Sequence, residues 1–106
     1  MPFIDLNTIQ EKEVVPGFHG KFIQTKNNAI VYWKIDAGST LPEHHHPHEQ
    51  TVNLLSGDFE FTLDGKTRKI QPGTAVVVPS IAPYSGTAIS NCFIIDIFYP
   101  LREEYR

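Results

Sequence analysis

Apolar side chains recur at every second position in several short stretches, and this spacing constrains the fold more than any other feature of the chain. Val31, Trp33 and Ile35 alternate with Tyr32 and Lys34, which gives an extended segment one strongly apolar face. Phe59, Phe61 and Leu63 alternate with Glu60 and Thr62 in the same way. Asp64-Gly65 follows at once, a dipeptide that accepts the positive φ of a tight hairpin turn, and Lys66 to Ile70 reads as the returning strand. Gln71-Pro72-Gly73 marks another turn, and Val76, Val77 and Val78 form a β-branched run stopped by Pro79. Phe93 to Tyr99 is a longer strand, apolar on both faces except at Asp96 and ended by Pro100. Leu6 to Val15 has room for one helical turn, and Val14, Val15 and Pro16 argue against more. Leu101 to Arg106 reads as a short helix or a loose tail. Roughly seven to nine short strands with frequent turn signals predict an all-β sandwich or barrel.

With 106 residues, 41% of them hydrophobic and 20% charged, the chain reads as one globular domain spanning 1–106. Such a length buries enough surface to hold together without cross-links. The lone cysteine, Cys92, forbids an intramolecular disulfide and points to a reducing, cytoplasmic setting. A net charge of -3 removes the electrostatic drive toward nucleic acid or anionic membrane. No apolar run approaches the ~20 residues of a membrane span. Met1 to Gln10 lacks the basic and apolar regions of a signal peptide.

Four of the five histidines, His44, His45, His46 and His48, fall within five residues. In an extended segment His44, His46, His48 and Gln50 share one face, with His45 and Glu49 opposite. Neutral imidazole is a good ligand for first-row transition metals, and two imidazoles so spaced can grip one ion. The bland alternative is a solvated polar loop. His19, beside Gly17 and Gly20, reads as a surface or turn residue without a role.

Read with its neighbours, this segment resembles the cupin superfamily. Its first motif runs Gly38, five residues, His44-x-His46, three residues, Gln50, six residues, Gly57, with Gln50 at the glutamate position. The second motif is more altered: Gly73 and Pro79 match, whereas Ile81 stands for a glycine, Tyr84 for a histidine and Ala88 for an asparagine. The resemblance covers roughly residues 20–100 and implies a double-stranded β-helix, the cupin or jelly-roll barrel, with a pocket inside. Within the superfamily, His44-His45-His46-Pro47-His48-Glu49-Gln50 is similar to the group related to the pectin-degradation protein KdgF. That resemblance implies a divalent transition metal (Zn, Ni, Mn, Co or Fe) held by His44, His46, Gln50 and the residue at Tyr84. It also implies that Asp96, Phe98 and Arg102 approach the pocket. The group's reaction converts unsaturated uronates to linear keto sugars.

The expected activity is therefore metal-assisted ring opening or isomerisation of a sugar acid or similar oxygen-rich small molecule. Asp96 moves a proton, Arg102 fixes a carboxylate, and Phe98 and Arg102 contact substrate. Burying Asp96 among Phe93, Ile94, Ile95, Ile97 and Phe98 is costly unless it is paired or protonated, and pairing with Arg102 or backbone amides is the structural alternative. Two other classes stand beside this one. One is a binding module without catalysis. The other is a dioxygenase using Glu49, whose register faces it away from His44 and His46. Trp33 reads as core and Cys92 as a small buried apolar residue. The apolar Phe93–Tyr99 strand suggests a homodimer.

Overall fold

The structure, a computed structural model, describes residues 3–100. Ten strands run in chain order among them: β1 Lys12–Val15, β2 Phe18–Gln24, β3 Ala29–Ile35, β4 Thr40–His44, β5 Glu49–Ser56, β6 Phe59–Leu63, β7 Lys66–Ile70, β8 Ala75–Val78, β9 Tyr84–Ala88 and β10 Cys92–Tyr99. A six-stranded sheet has the order β1-β2-β3-β10-β5-β8, and a four-stranded sheet the order β4-β9-β6-β7. Every pairing is antiparallel, and the two sheets face each other as a jelly-roll, double-stranded β-helix.

The alternation read from the sequence sets which side chains face inward. Along β3, Val31, Trp33 and Ile35 are buried while Lys34 is exposed, and along β6, Phe59 and Phe61 are buried while Glu60 is exposed. On β10 the inner set is Cys92, Ile94, Asp96 and Phe98, so the one carboxylate of this strand points into the barrel. The other face of β10 carries the half-buried Phe93, Ile95 and Ile97, and Ile97 stands in register with Ile30 of β3, itself opposite Ile23 of β2.

Asp64 and Gly65 take φ of 52° and 80°, the left-handed pair that the sequence predicts for the β6–β7 hairpin. The expected helical turn near the start is a single 3-10 turn, Leu6–Thr8, capped by the Asp5 side chain on the Asn7 N–H. Lys12–Val15 is a strand instead, a short and mostly exposed edge whose four residues carry too little alternation to be read from the chain. Leu101–Arg106, including the expected catalytic and substrate residue Arg102, lies outside the described residues. No helix of the described residues is long and apolar enough to cross a membrane.

Candidate metal and ligand site

The histidine segment is not one extended strand. His44 ends β4 in the four-stranded sheet, Gln50 lies in β5 of the six-stranded sheet, and residues 45–48 cross between them with a bend at Pro47 and His48. Proline cannot continue a strand ladder, so a change of sheet there is natural. The alternation argument therefore places His44 and Gln50 correctly on inward faces for two different strands, while His46 reaches the interior from the connection. Two hydrogen bonds from the β8–β9 connection hold that segment. The Ile81 N–H donates to the His46 carbonyl at 2.8 Å, and the Ser80 hydroxyl donates to the Pro47 carbonyl at 2.7 Å.

His46, Gln50 and Tyr84 are all buried and meet at one point. His46 Nε2 lies 3.1 Å from Gln50 Oε1 and 3.2 Å from Tyr84 Oη. Gln50 Nε2 donates to Asp96 Oδ2 at 2.8 Å, and Trp33 Nε1 donates to the same oxygen at 3.0 Å. Asp96 Oδ2 accepts both bonds, so the Gln50 amide nitrogen faces Asp96 and its oxygen faces His46. His46 Nε2–H is then the donor to Gln50 Oε1, and taking up a metal there requires that proton to leave Nε2. Asp96 is thus one step removed from the ligand cluster and orients it, a role that neither sequence reading assigned.

Tyr84 sits opposite His44 in the β4–β9 register, which is how the second motif comes to lie against the first. Its ring stacks on Phe61 at 5.8 Å between centroids with 7° between planes, and meets His44 at 4.2 Å. His44 Nδ1 lies 2.9 Å from the Pro42 carbonyl, which can only accept. That bond places the proton on Nδ1 and leaves Nε2 as the lone-pair nitrogen, the arrangement a metal-ligating imidazole needs.

The donor set fits a divalent ion in part. Two ligands on one ion with bonds of about 2.1 Å stand about 3.0–3.4 Å apart, the separation seen from His46 to Gln50 and Tyr84. The His44 and His46 ring centroids are 6.1 Å apart, wider than the about 5 Å of two imidazoles on one tetrahedral ion. The His46–Gln50–Tyr84 group is therefore the assembled part of the site, with His44 flanking it. Among the described residues no three His, Cys, Asp or Glu side chains come together as a set that could hold a metal ion. His48 lies beside His46, with centroids 5.5 Å apart, and Glu49 is exposed, as its register predicted.

The cluster opens onto a cavity of about 460 Å³ between the sheets, lined by His44, Gln50, Tyr84, Asp96 and Phe98 at one side. Phe18, Trp33, Ile35, Val52, Phe59 and Ile94 form much of the remaining wall, and Val14 and Val15 of β1 border it. Trp33 is core, as expected, and is also the donor that holds Asp96. Its place on an apolar face hid that second role in the sequence. Cys92 is buried away from this lining, and burial pushes its thiol pKa up, as expected of an inert apolar residue. His19 is bound to Asp36 at 3.0 Å on the surface, with Glu11 and Glu13 nearby.

A family model described as a cupin domain matches residues 31–98. No curated protein matches the chain. Among solved structures, KdgF from Halomonas sp. superposes with a TM-score of 0.92 at 28% identity, over 100% of this chain and 99% of that one. An RmlC-like cupin from Shewanella frigidimarina NCIMB 400 does so at 0.92 and 21% identity, over 98% and 95% of the two chains. Salicylate 1,2-dioxygenase from Pseudoaminobacter salicylatoxidans, in adducts with gentisate, shares the fold at a TM-score of 0.78 and 18% identity, over 82% of this chain and 26% of its own.

Proposed function

The chain belongs to the cupin domain family, and on that premise we propose that it is a small metal-binding enzyme acting on the oxygen-bearing end of a small molecule. The observation that carries this reading is that His46 Nε2 lies within 3.2 Å of both Gln50 Oε1 and Tyr84 Oη, whose residues line the cavity between the sheets. His46, Gln50 and Tyr84, with His44 beside them, would hold a divalent transition metal. Such an ion supplies Lewis-acid polarisation of a carbonyl or hydroxyl oxygen.

The protein's own groups do the rest. Asp96 keeps the Gln50 oxygen aimed at the cluster and, on the cavity wall, is the group placed to take or return a proton. Phe98, 1% exposed, packs against the His46 ring and gives the substrate an apolar contact. Arg102 is proposed from the resemblance alone as the carboxylate clamp. Ring opening or isomerisation of a uronate-type acid is the reaction the KdgF likeness suggests. The half-buried outer row of Ile23, Ile30 and Ile97 is the face offered for a homodimer, each copy a single cupin domain.

The test is metal binding followed by turnover. Protein purified without metal-affinity resin is analysed for metals, stripped with EDTA and titrated with Zn²⁺ or Ni²⁺ by calorimetry. Wild type is expected to bind one ion per chain, and a His44→Ala/His46→Ala double variant to lose at least tenfold in affinity. Unchanged metal affinity in the folded double variant would end the proposal. Tyr84 in place of an imidazole favours a second reading, a non-catalytic binder, because a phenol holds a divalent ion less readily. Chemical change of a bound ligand rules that reading out.

A further inference from the structure

The cavity is chemically two-ended. The register places Gln50, Tyr84 and His44 toward one end of the barrel: Gln50 pairs with Phe98, and Tyr84 with His44. Toward the other end the lining is Ile94 on β10, Ile35 on β3, Phe18 on β2 and Phe59 on β6. The polar side chains on the cavity wall are thus the linked Trp33–Asp96–Gln50 set and Tyr84, with His44 and Glu43 of β4 beside them, and the rest of the lining is hydrocarbon.

We propose that the cavity takes a compact ring compound with a hydrocarbon body and its oxygens gathered at one edge, rather than a polyhydroxylated sugar acid. The proposal rests on the ligand site described above and replaces the body, not the head, of the expected substrate. A sugar acid carries a hydroxyl on most ring carbons. Against Phe18, Ile35, Phe59 and Ile94 those hydroxyls give up water and find no partner, at a cost of about tenfold in affinity each. A planar ring with adjacent oxygens meets the same walls without that loss and gains from leaving water. A volume of about 460 Å³ has room for a substituted monocyclic ring. Tyr84 stacked on Phe61 and Phe98 against His46 make the wall beside the cluster aromatic, suited to the face or edge of such a ring.

The test compares two probes, 2'-hydroxyacetophenone and D-galacturonate, by isothermal titration calorimetry at two temperatures. Both are measured first on EDTA-treated full-length protein and then after one equivalent of Zn²⁺. The aryl probe is expected to bind at least tenfold more tightly than galacturonate in both states, with a negative heat-capacity change. Val52→Thr, which adds a hydroxyl to the wall at nearly constant shape, is expected to weaken the aryl probe several-fold. Leu41→Gln, at a half-buried wall position, is expected to do the same should the Val52 variant melt below the assay temperature. Galacturonate binding as tightly as the aryl probe, or neither probe binding in either state, overturns the proposal. Aryl binding without Zn²⁺ uptake supports it and removes only the metal reading.

Discussion

Ile81 is a β-branched residue held at φ 72°, in the left-handed region, where the cupin motif has glycine. Its backbone is engaged, since its N–H donates to the His46 carbonyl at 2.8 Å. Its side chain is 62% exposed, so removing it gives up little burial. For an ordinary L-residue this backbone region costs about 1–2 kcal/mol. Glycine escapes that cost and gives back about 0.5–1 kcal/mol in unfolded-chain entropy. Comparing Ile81→Gly with Ile81→Ala cancels the lost side chain and leaves the backbone term. The glycine variant is therefore expected to be more stable than the alanine variant by about 0.5–1 kcal/mol. That reverses the order usual inside strands and helices. For a domain of this size it amounts to about 2–8 °C in Tm. Thermal and urea melts followed by circular dichroism at pH 7 measure it. Alanine as stable as glycine, or more so, refutes the claim that residue 81 carries conformational strain beside the site.

Trp33→Phe keeps an aromatic ring but removes the Nε1–H donated to Asp96, and is expected to cost about 1–3 kcal/mol in urea melts, because a buried acceptor loses a partner. Gly57→Ala should destabilise by about 2 kcal/mol or more, because residue 57 sits at φ 88° and a Cβ there meets the Asn91 carbonyl and the Cys92 sulfur; a change within 0.5 kcal/mol contradicts it. The hydrogen bond to Asp36, then the charges of Asp36, Glu13 and Glu11, raise the pKa of His19 above its ordinary 6.5. A raised folded-state pKa means stabilisation fully present below the unfolded value and lost as pH rises through the folded one. Wild type should therefore out-melt His19→Gln in mildly acidic buffer and lose that lead by pH 9; a constant difference across that range shows that the charge is not responsible.

Much of this protein is decided locally. The period-two spacing of Val31-Trp33-Ile35 and Phe59-Phe61-Leu63, with Asp64-Gly65 supplying a left-handed turn, specifies paired strands with one apolar face. The motif spacing marks His44, His46 and Gln50 as a set, since residue type and separation along the chain are all that such a signal needs. Other features depend on contacts between residues far apart in the chain, which no local pattern encodes. The sheet change at Pro47, the pairing of His44 with Tyr84 across β4 and β9, and the donation from Trp33 to Asp96 over 63 residues arise only when the two sheets close. The same closure makes the deep wall of the cavity hydrocarbon. Alternation says that a side chain points inward, but whether it then meets a polar partner or empty space is settled by the residues that fold against it.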